Sequence, residues 1–368
     1  MTTARPRHEL LVGLSVSLTG RCSAQGRQAL DGLRLWQLYV NSRGGIGVGH
    51  TTSRPVRLVV YDDESRIRVV RRNVLRLLRQ DHVEALFSPY SSGLTMAVAE
   101  VARGHGKVLW NHGGSSDEIF NRGWHHVVST PTPASDYLRD LPLWLAKQAP
   151  GLGKICIAHS ARGTFASHVA RGVIEAVAPE RSIQIISYWE LDIDDLVAKL
   201  QASRPEILVV AGSFEQEIQI LRARQRWPAS IQLVAAVAAG VRAFHDALGR
   251  SAEGVVGPSQ WEPGLSFPTA IGPDDLWFVR NFREQFGREP EYTAAGSFAT
   301  SLIFEECVRS AGSFEDKDLL AAAAELDCYT FYGRFRLNRA IGRQVGHRIL
   351  LVQWNRGHKV LLSVEDNK

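Results

Sequence analysis

The chain has 368 residues, of which 45% are hydrophobic and 22% charged, and its formal net charge is +5 at pH 7. This length favours two domains, and the composition supplies enough apolar side chains for two packed cores. The small charge excess does not by itself indicate a nucleic-acid partner, and no run of about 18 apolar residues predicts a transmembrane helix.

Strands and helices alternate through the first third of the chain. The predicted strands are 10–14, 56–61, 83–87 and 107–110, and the predicted helices between them are 28–40, 66–79 and 95–103. This alternation predicts an α/β fold with mostly parallel sheets flanked by helices. The apolar segment from Leu10 is interpreted as the first strand and not as a signal peptide, since Glu9 interrupts the approach to it. The chain as written is expected to be cytoplasmic, or periplasmic or cell-envelope if an export signal is missing from it.

A second unit of similar layout follows residue 151. Its predicted strands are 154–158, 183–187, 207–210 and 231–235, and its predicted helices are 165–177, 194–201 and 215–225. Helices 274–286, 293–310 and 314–326 and short strands 335–337, 349–353 and 360–362 complete the chain. These last elements are too few for a third domain, so the chain is expected to cross between two lobes near 128–134, 256–264 and 329–334. The predicted N-terminal lobe is 8–130 plus 260–330, and the predicted C-terminal lobe is 131–259 plus 331–363.

Motifs that resemble catalytic or cofactor sites have simpler explanations. The glycines of 44–49 follow a helix and precede a strand, whereas a dinucleotide-binding loop needs the opposite order. The paired histidines 125–126 lack a carboxylate at ligand spacing, and 158–163 lacks the glycines of a nucleophile elbow. The acids of 62–64 are expected to cap the next helix. The four cysteines have neither metal-ligand nor redox spacing, so we predict no metal, no cofactor and no catalytic residue.

The arginine-rich segment 66–79 is predicted to be a helix with a solvated basic face. The predicted buried positions are Ile67, Val70, Val74 and Leu78, and the opposite face carries Arg68, Arg72, Arg76 and Arg79. A phosphate-binding face is the alternative, although aromatic side chains for base stacking are absent there.

Two polar loops that contain glycine follow predicted strands. Phe87 is followed by SPYSSGLT at 88–95, and Trp110 by NHGGSSDEI at 111–119. Because open α/β sheets bind ligands at the carboxyl ends of their strands, such loops on adjacent strand ends predict a polar pocket. Ser91 and Ser92 are expected at a helix N-terminus, where hydroxyls and free backbone N–H groups suit a carboxylate or another anion.

Several segments together resemble type I periplasmic-binding proteins, specifically the branched-chain amino-acid-binding (leucine-binding-like) branch of ABC transporter substrate-binding proteins. The matching segments are 12–36, 41–47, 56–65, 88–93, 163–173, 251–257 and 331–338. No single segment is decisive, but their order and spacing are specific. The resemblance implies two lobes joined by three crossover segments, which close around a ligand in the cleft between them.

The resemblance also implies which residues hold the ligand. Ser92 and Ser115 would donate hydroxyl hydrogen bonds to its carboxylate, and Gly113 would offer backbone groups. Ser91 and Gly114 belong to the same two loops. Gln25 would reach the side of the ligand, and the second lobe would contribute Thr164, Phe165, Ser213 and Phe214.

One departure from the family pattern bears on the ligand. Amino-acid binders place an acid after the strand that corresponds to 231–235, where it pairs with the α-ammonium, but 235–241 contains no acid. A buried ammonium without a counter-charge is costly. The ligand is therefore expected to be a small carboxylate or amide without an α-ammonium, unless an acid from elsewhere, such as Glu215 or Glu262, takes this place.

Three functions follow from this pattern. The first is a solute receptor that delivers its ligand to an ABC importer permease, without nucleic-acid binding or membrane insertion. The alternative is a cytoplasmic amide or carboxylate sensor of the same fold that regulates a partner protein. The third is a hydrolase that uses Ser92 or Ser115 with a base such as His112, which the sequence does not favour because no base adjoins either serine.

Overall fold

The computed structural model describes residues 9–48, 53–177 and 181–362. Its strands are β1 (Leu10–Val16), β2 (Val56–Asp62), β3 (Ala85–Phe87), β4 (Leu109–Asn111), β5 (Val127–Ser129), β6 (Lys154–Ser160), β7 (Ser182–Tyr188), β8 (Ile207–Ala211), β9 (Leu233–Ala236), β10 (Val256–Ser259), β11 (Asp327–Thr330), β12 (Gly333–Arg336), β13 (Leu350–Asn355) and β14 (His358–Leu362). Its helices are α1 (Ser23–Ser42), α2 (Ile67–Arg79), α3 (Ser92–Gly104), α4 (Glu118–Asn121), α5 (Leu141–Gln148), α6 (Phe165–Ala176), α7 (Ile193–Ser203), α8 (Phe214–Arg222), α9 (Arg242–Leu248), α10 (Asp275–Phe286), α11 (Tyr292–Ala311) and α12 (Asp316–Glu325).

The chain divides into two compact units. The first unit comprises 1–132 and 261–348, and the second unit comprises 133–260 and 349–368. The third crossing therefore follows residue 348, and the segment 331–348, which was predicted for the C-terminal lobe, belongs to the first unit. The segment belongs to the first unit because it pairs with residues of that unit. Strand β12 forms a hairpin with β11, and Gln344 Nε2 donates to the carbonyl of Thr130 at 3.2 Å.

The first unit contains a five-stranded sheet in the order β2-β1-β3-β4-β5, in which every strand is parallel to its neighbours. All seven residues of β1 are buried, which confirms that this N-terminal segment is a strand of the core. The ring of Phe304 on α11 packs edge-on against Trp36, Phe87 and Trp110, with centroids 5.1–6.3 Å apart. Aromatic packing of this kind joins the sheet to the helices on one of its faces.

The second unit contains a seven-stranded sheet in the order β14-β13-β10-β9-β8-β6-β7. Five of its strands are parallel, and β13 and β14 extend it as an antiparallel hairpin. Arg356 and Gly357 turn this hairpin with φ angles of 51° and 77°, as a two-residue primed turn requires. Every residue of β8 is buried, as expected for a parallel strand covered on both faces.

Both sheets confirm the predicted α/β class. Within the described residues, no helix is long and apolar enough to cross a membrane, and no group of His, Cys, Asp and Glu side chains has the arrangement of a metal site. The four cysteines are buried free thiols. The turn predicted at 44–49 is present as far as residue 48, with φ angles of 94° and 89° at Gly44 and Gly45, and Gly49 lies outside the described residues.

Candidate functional site

The carboxyl edge of the first sheet brings the two predicted polar loops into contact. The hydroxyl oxygen of Ser92, the first residue of α3, accepts hydrogen bonds from the backbone N–H groups of Ser115 and Ser116 at 3.1 and 3.0 Å. Because β3 and β4 are paired and parallel, the loops that follow them leave the sheet side by side. A hydroxyl that accepts two N–H groups keeps its own proton to donate, and this suits an anionic or carbonyl oxygen.

The N-terminus of α3 is not capped by a side chain. Ser91 occupies the N-cap position, but its hydroxyl makes no capping hydrogen bond, and the first helical bond of the turn runs from Thr95 N–H to the Ser91 carbonyl. A Cβ atom placed on Gly93 would meet nothing within 4 Å, so this side of the turn is open. Uncapped N–H groups and the helix dipole together make such a turn an anion-binding site.

Close packing explains the glycines in the β4 loop. A Cβ on Gly113 would lie 2.4 Å from the carbonyl oxygen of Pro89, and a Cβ on Gly114 would lie 2.6 Å from Cβ of Thr95. The backbone N–H groups of both glycines bond to Asn111 Oδ1, at 3.2 and 2.8 Å. The N–H of Gly113 therefore has a partner inside the loop, and Gly113 and Gly114 are required for the loop's shape.

Asn111 organises this loop and was missed in the sequence analysis. Its side chain is fully buried, and its Nδ2 donates to the carbonyl of Gly114 at 2.7 Å and to the hydroxyl of Ser129 at 2.8 Å. Its Oδ1 also accepts from Ser88 Oγ at 3.0 Å. An asparagine at a strand end, with glycines two and three residues later, favours a turn, so the sequence contained the signal for this loop.

Gln25 and Ser91 lie at the same carboxyl edge. Gln25 is in the first turn of α1 and is partly exposed, and the next residue, Gly26, packs so closely on the end of β1 that a Cβ would be 2.0 Å from the Ser17 carbonyl oxygen. Ser91 precedes α3 and is partly exposed. The acceptor of the β4-loop N–H groups is the hydroxyl of Ser92 and not that of Ser91.

Asp62 and Asp63 bond to the loop that follows β1 instead of capping α2. Asp62 Oδ1 accepts from the backbone N–H groups of Leu18 and Thr19, and Asp63 Oδ1 accepts from Ser17 Oγ at 2.6 Å. The N-cap residue of α2 is Arg66, which provides no capping side chain. The helix-capping prediction for the acids 62–64 was therefore wrong, because Asp62 and Asp63 accept from the loop that follows β1 and Glu64 pairs with Arg66 at 3.1 Å.

Thr164 and Phe165 lie at the start of α6, after the end of β6 in the second unit. Thr164 occupies the N-cap position without a side-chain capping bond, and its carbonyl accepts from Ser167 Oγ at 2.9 Å. The ring of Phe165 is half-buried and packs edge-on against Tyr137, with centroids 5.3 Å apart.

Ser213 and Phe214 follow the neighbouring strand β8 at the start of α8. Ser213 forms a capping box with Gln216: its Oγ accepts from the Gln216 N–H at 3.3 Å, and its N–H donates to Gln216 Oε1 at 2.9 Å. Phe214 is half-buried against the core of this unit. The Ser213 hydroxyl thus caps the helix and, like that of Ser92, keeps a proton to donate.

Glu217 is a buried acid near the candidate site that the sequence analysis missed. Its carboxylate accepts the N–H of Gly212 at 2.8 Å and the N–H of Ala238 at 2.7 Å, and Val237 N–H is a third donor. The side chain is 1% exposed, and burial raises the pKa of its carboxyl to about 8 against the effect of the three donors. An acid from α8 therefore lies beneath 235–241, where the sequence has none, but its oxygens are held by backbone groups.

Comparison with known proteins identifies the family and the fold of the chain. The family model described as periplasmic binding protein matches residues 9–359. Leu/Ile/Val-binding protein homolog 1 of Brucella melitensis is 22% identical over 328 residues, which cover 86% of this chain and 82% of that protein.

Solved structures share the fold at low sequence identity. A leucine-binding protein from Thermotoga maritima has a TM-score of 0.82 at 15% identity, with 96% of this chain and 98% of that chain covered. A solute-binding protein of an ABC transporter from R. palustris, solved with benzoate, has a TM-score of 0.76 at 20% identity and covers 96% of this chain and 95% of its own. With a match that extends over nearly all of its length, the chain belongs to the periplasmic binding protein family.

Proposed function

We propose that the chain is the solute-binding protein of an ABC importer and that its ligand is a small carboxylate or amide without an α-ammonium group. Aromatic and branched aliphatic monocarboxylates are the simplest members of this class. The ligand contacts in this proposal are Gln25, Ser92 and Ser115 of the first unit and Thr164, Phe165, Ser213 and Phe214 of the second.

The uncapped start of α3 carries the proposal. The first turn of α3 offers backbone N–H groups without a side-chain cap, and Ser92 at its start has a proton to donate. Hydrogen bonds to a charged group are worth about 1.5–3 kcal/mol each. A carboxylate satisfies both kinds of donor, and an amide oxygen satisfies them more weakly because it carries no full charge.

At the corresponding edge of the second unit, the stretch 234–241 contains no acid, and Glu215 is exposed at the start of α8. Within 234–241, Val237 is the residue that is partly exposed, and its side chain is apolar. Glu217 is buried below this stretch and accepts three backbone N–H groups. An ammonium group packed against 234–241 would lose several kcal/mol of hydration without a compensating partner in that stretch.

The relatives favour transport over the two other functions. The R. palustris protein bound to benzoate is an ABC transporter component, which supports both the importer and an aromatic acid as ligand. The family's name supports a periplasmic location over a cytoplasmic one. A hydrolase is disfavoured, since His112 Nε2 has no hydrogen-bond partner in the described protein and burial lowers the pKa of His112 to about 4.

Replacing Ser92 by alanine is expected to weaken ligand binding by roughly tenfold to a hundredfold, because one hydrogen bond to a charged oxygen is lost. The same change deprives the Ser115 and Ser116 N–H groups of their acceptor, so the free energy of unfolding should fall by about 1–3 kcal/mol while the fold persists. Isothermal titration with benzoate and urea denaturation measure the two effects.

Ser91→Ala is the matched control for this experiment. Its hydroxyl makes no bond to the β4 loop, unlike that of Ser92, so its loss should change the affinity for benzoate less than threefold, by about 0.6 kcal/mol. Wild-type affinity in Ser92→Ala, or a larger loss in Ser91→Ala, would show that the carboxylate binds elsewhere.

A further inference from the structure

The outer face of α2 carries a row of arginines that no contact of the proposed ligand site uses. Arg68, Arg72, Arg76 and Arg79 follow one another at spacings of four, four and three residues, and all four are exposed. The row is about 16 Å long at the rise of an α-helix. The buried face comprises Val69, Val70, Asn73, Val74 and Leu77, which leaves Ile67 50% exposed at the start of the helix, contrary to its predicted burial.

This arrangement is electrostatically unfavourable for the isolated helix. Its first turn contains no acid, although the N-terminus of a helix favours negative charge, and Arg68 lies in that turn. Like charges four residues apart, as between Arg68, Arg72 and Arg76, destabilise a helix further. Local rules that a sequence breaks without an evident structural gain are most often broken for function.

Two of these arginines, Arg68 and Arg72, make no contact in the described parts of the chain that would account for a cation at their positions. Arg76 lies over the ring of Tyr61 at 4.4 Å, and Arg79 Nε donates to His105 Nε2 at 3.1 Å. Arg68 and Arg72 have no hydrogen bond, ion pair or ring contact within the described residues. Their guanidinium groups are thus available to an anionic partner.

We propose that the face formed by Ile67, Arg68, Arg72, Arg76 and Arg79 docks onto an anionic phospholipid surface. A row of this length exceeds what one small anion can contact, whereas phosphate headgroups present repeated negative charge, and arginine binds phosphate through paired N–H groups. The exposed apolar side chain of Ile67 beside the cations suits the headgroup boundary of a membrane better than the polar surface of an acidic protein. This contact is peripheral and does not depend on which ligand the protein carries.

Vesicle co-sedimentation tests this docking surface with the whole chain. The protein is expected to pellet with vesicles that contain phosphatidylglycerol, but not with pure phosphatidylcholine vesicles, and 0.5 M salt should release it. Each arginine near an anionic surface contributes roughly fivefold in affinity, so the double variant Arg68→Gln with Arg72→Gln should bind at least about tenfold more weakly. Neither side chain has a partner to lose among the described residues and the change relieves like-charge repulsion on α2, so the melting temperature should not fall.

The matched control replaces two exposed arginines outside α2, Arg250→Gln with Arg280→Gln, which removes the same net charge. This control should bind phosphatidylglycerol vesicles within twofold of the wild type. An equal loss in the control would overturn the proposal, since net charge alone would then explain binding. Failure of the wild-type protein to pellet with any vesicle at low salt would also overturn it and would leave an acidic protein as the occupant of this face.

Discussion

Heat stability is expected to rise more with des-amino acids than with the matching amino acids. In a thermal-shift screen, 4-methylpentanoate should stabilise the protein where leucine does not, and 3-phenylpropanoate should do so where phenylalanine does not. An unpaired ammonium costs several kcal/mol, which corresponds to a difference of at least about a hundredfold in affinity. At 100 times the dissociation constant, a ligand adds about 2.7 kcal/mol to the free energy of unfolding, so the contrast is measurable.

The expected preference has a local cause in each unit. The start of α3 offers hydrogen-bond donors, which suit the carboxylate that both members of a pair share. The stretch 234–241 offers an ammonium only the methyl groups of Val237, because the oxygens of Glu217 already accept from Gly212, Val237 and Ala238. Removing the amino group should therefore remove the desolvation cost of the ammonium without removing a hydrogen bond to the carboxylate.

A gain-of-function variant sharpens this test. Val237→Glu places a carboxylate on the partly exposed position of the stretch and should improve leucine relative to 4-methylpentanoate, while Val237→Gln serves as the uncharged control of the same size. If leucine stabilises the wild-type protein and 4-methylpentanoate does not, the missing acid has been misinterpreted. The ligand would then be an ordinary amino acid.

Local pattern was enough to predict most of the fold. Continuous apolar runs bounded by polar residues located β1 and β8, and 3.6-residue periodicity located α1 and α11, each within a few residues of its observed bounds. The strand β10 escaped prediction because Gly257 and Pro258 fall inside it, and both residues are weak strand formers. Tertiary pairing with β9 and β13 overrides this propensity.

The candidate site was less predictable because its polar groups depend on contacts far apart in the chain. The capping box of Ser213 and Gln216 is a local pattern that the sequence shows directly. The bond between Ser92 and Ser115 joins residues 23 apart, and that between Glu217 and Ala238 joins residues 21 apart. Sequence spacing places such residues on strand ends, but only the sheet order decides which ends are neighbours.

Replacing Glu217 by glutamine is expected to change how the stability of the protein depends on pH. Burial raises the pKa of Glu217 to about 8 from its ordinary value of 4.5, so between these values the folded state binds a proton that the unfolded state has lost. The free energy of unfolding contributed by this group is therefore greatest below pH 4.5 and falls as the pH rises to 8, by on the order of 4 kcal/mol. The amide of Glu217→Gln does not titrate, so this component of the slope should vanish.

Urea denaturation at intervals from pH 5 to 8, with Glu215→Gln as the control, isolates this effect. Glu215 lies in the same turn of α8 but is exposed, so its replacement should keep the wild-type slope. At pH 5 the Glu217→Gln variant should be less stable than the wild type by about 1–3 kcal/mol, because its amide N–H₂ must face a backbone N–H of Gly212 or Ala238. This deficit should shrink or reverse by pH 8, where the wild type bears the cost of a buried charge. Parallel slopes for the wild type and Glu217→Gln would contradict the assignment, because they would mean that Glu217 already ionises near its ordinary pKa and that its three N–H donors outweigh its burial.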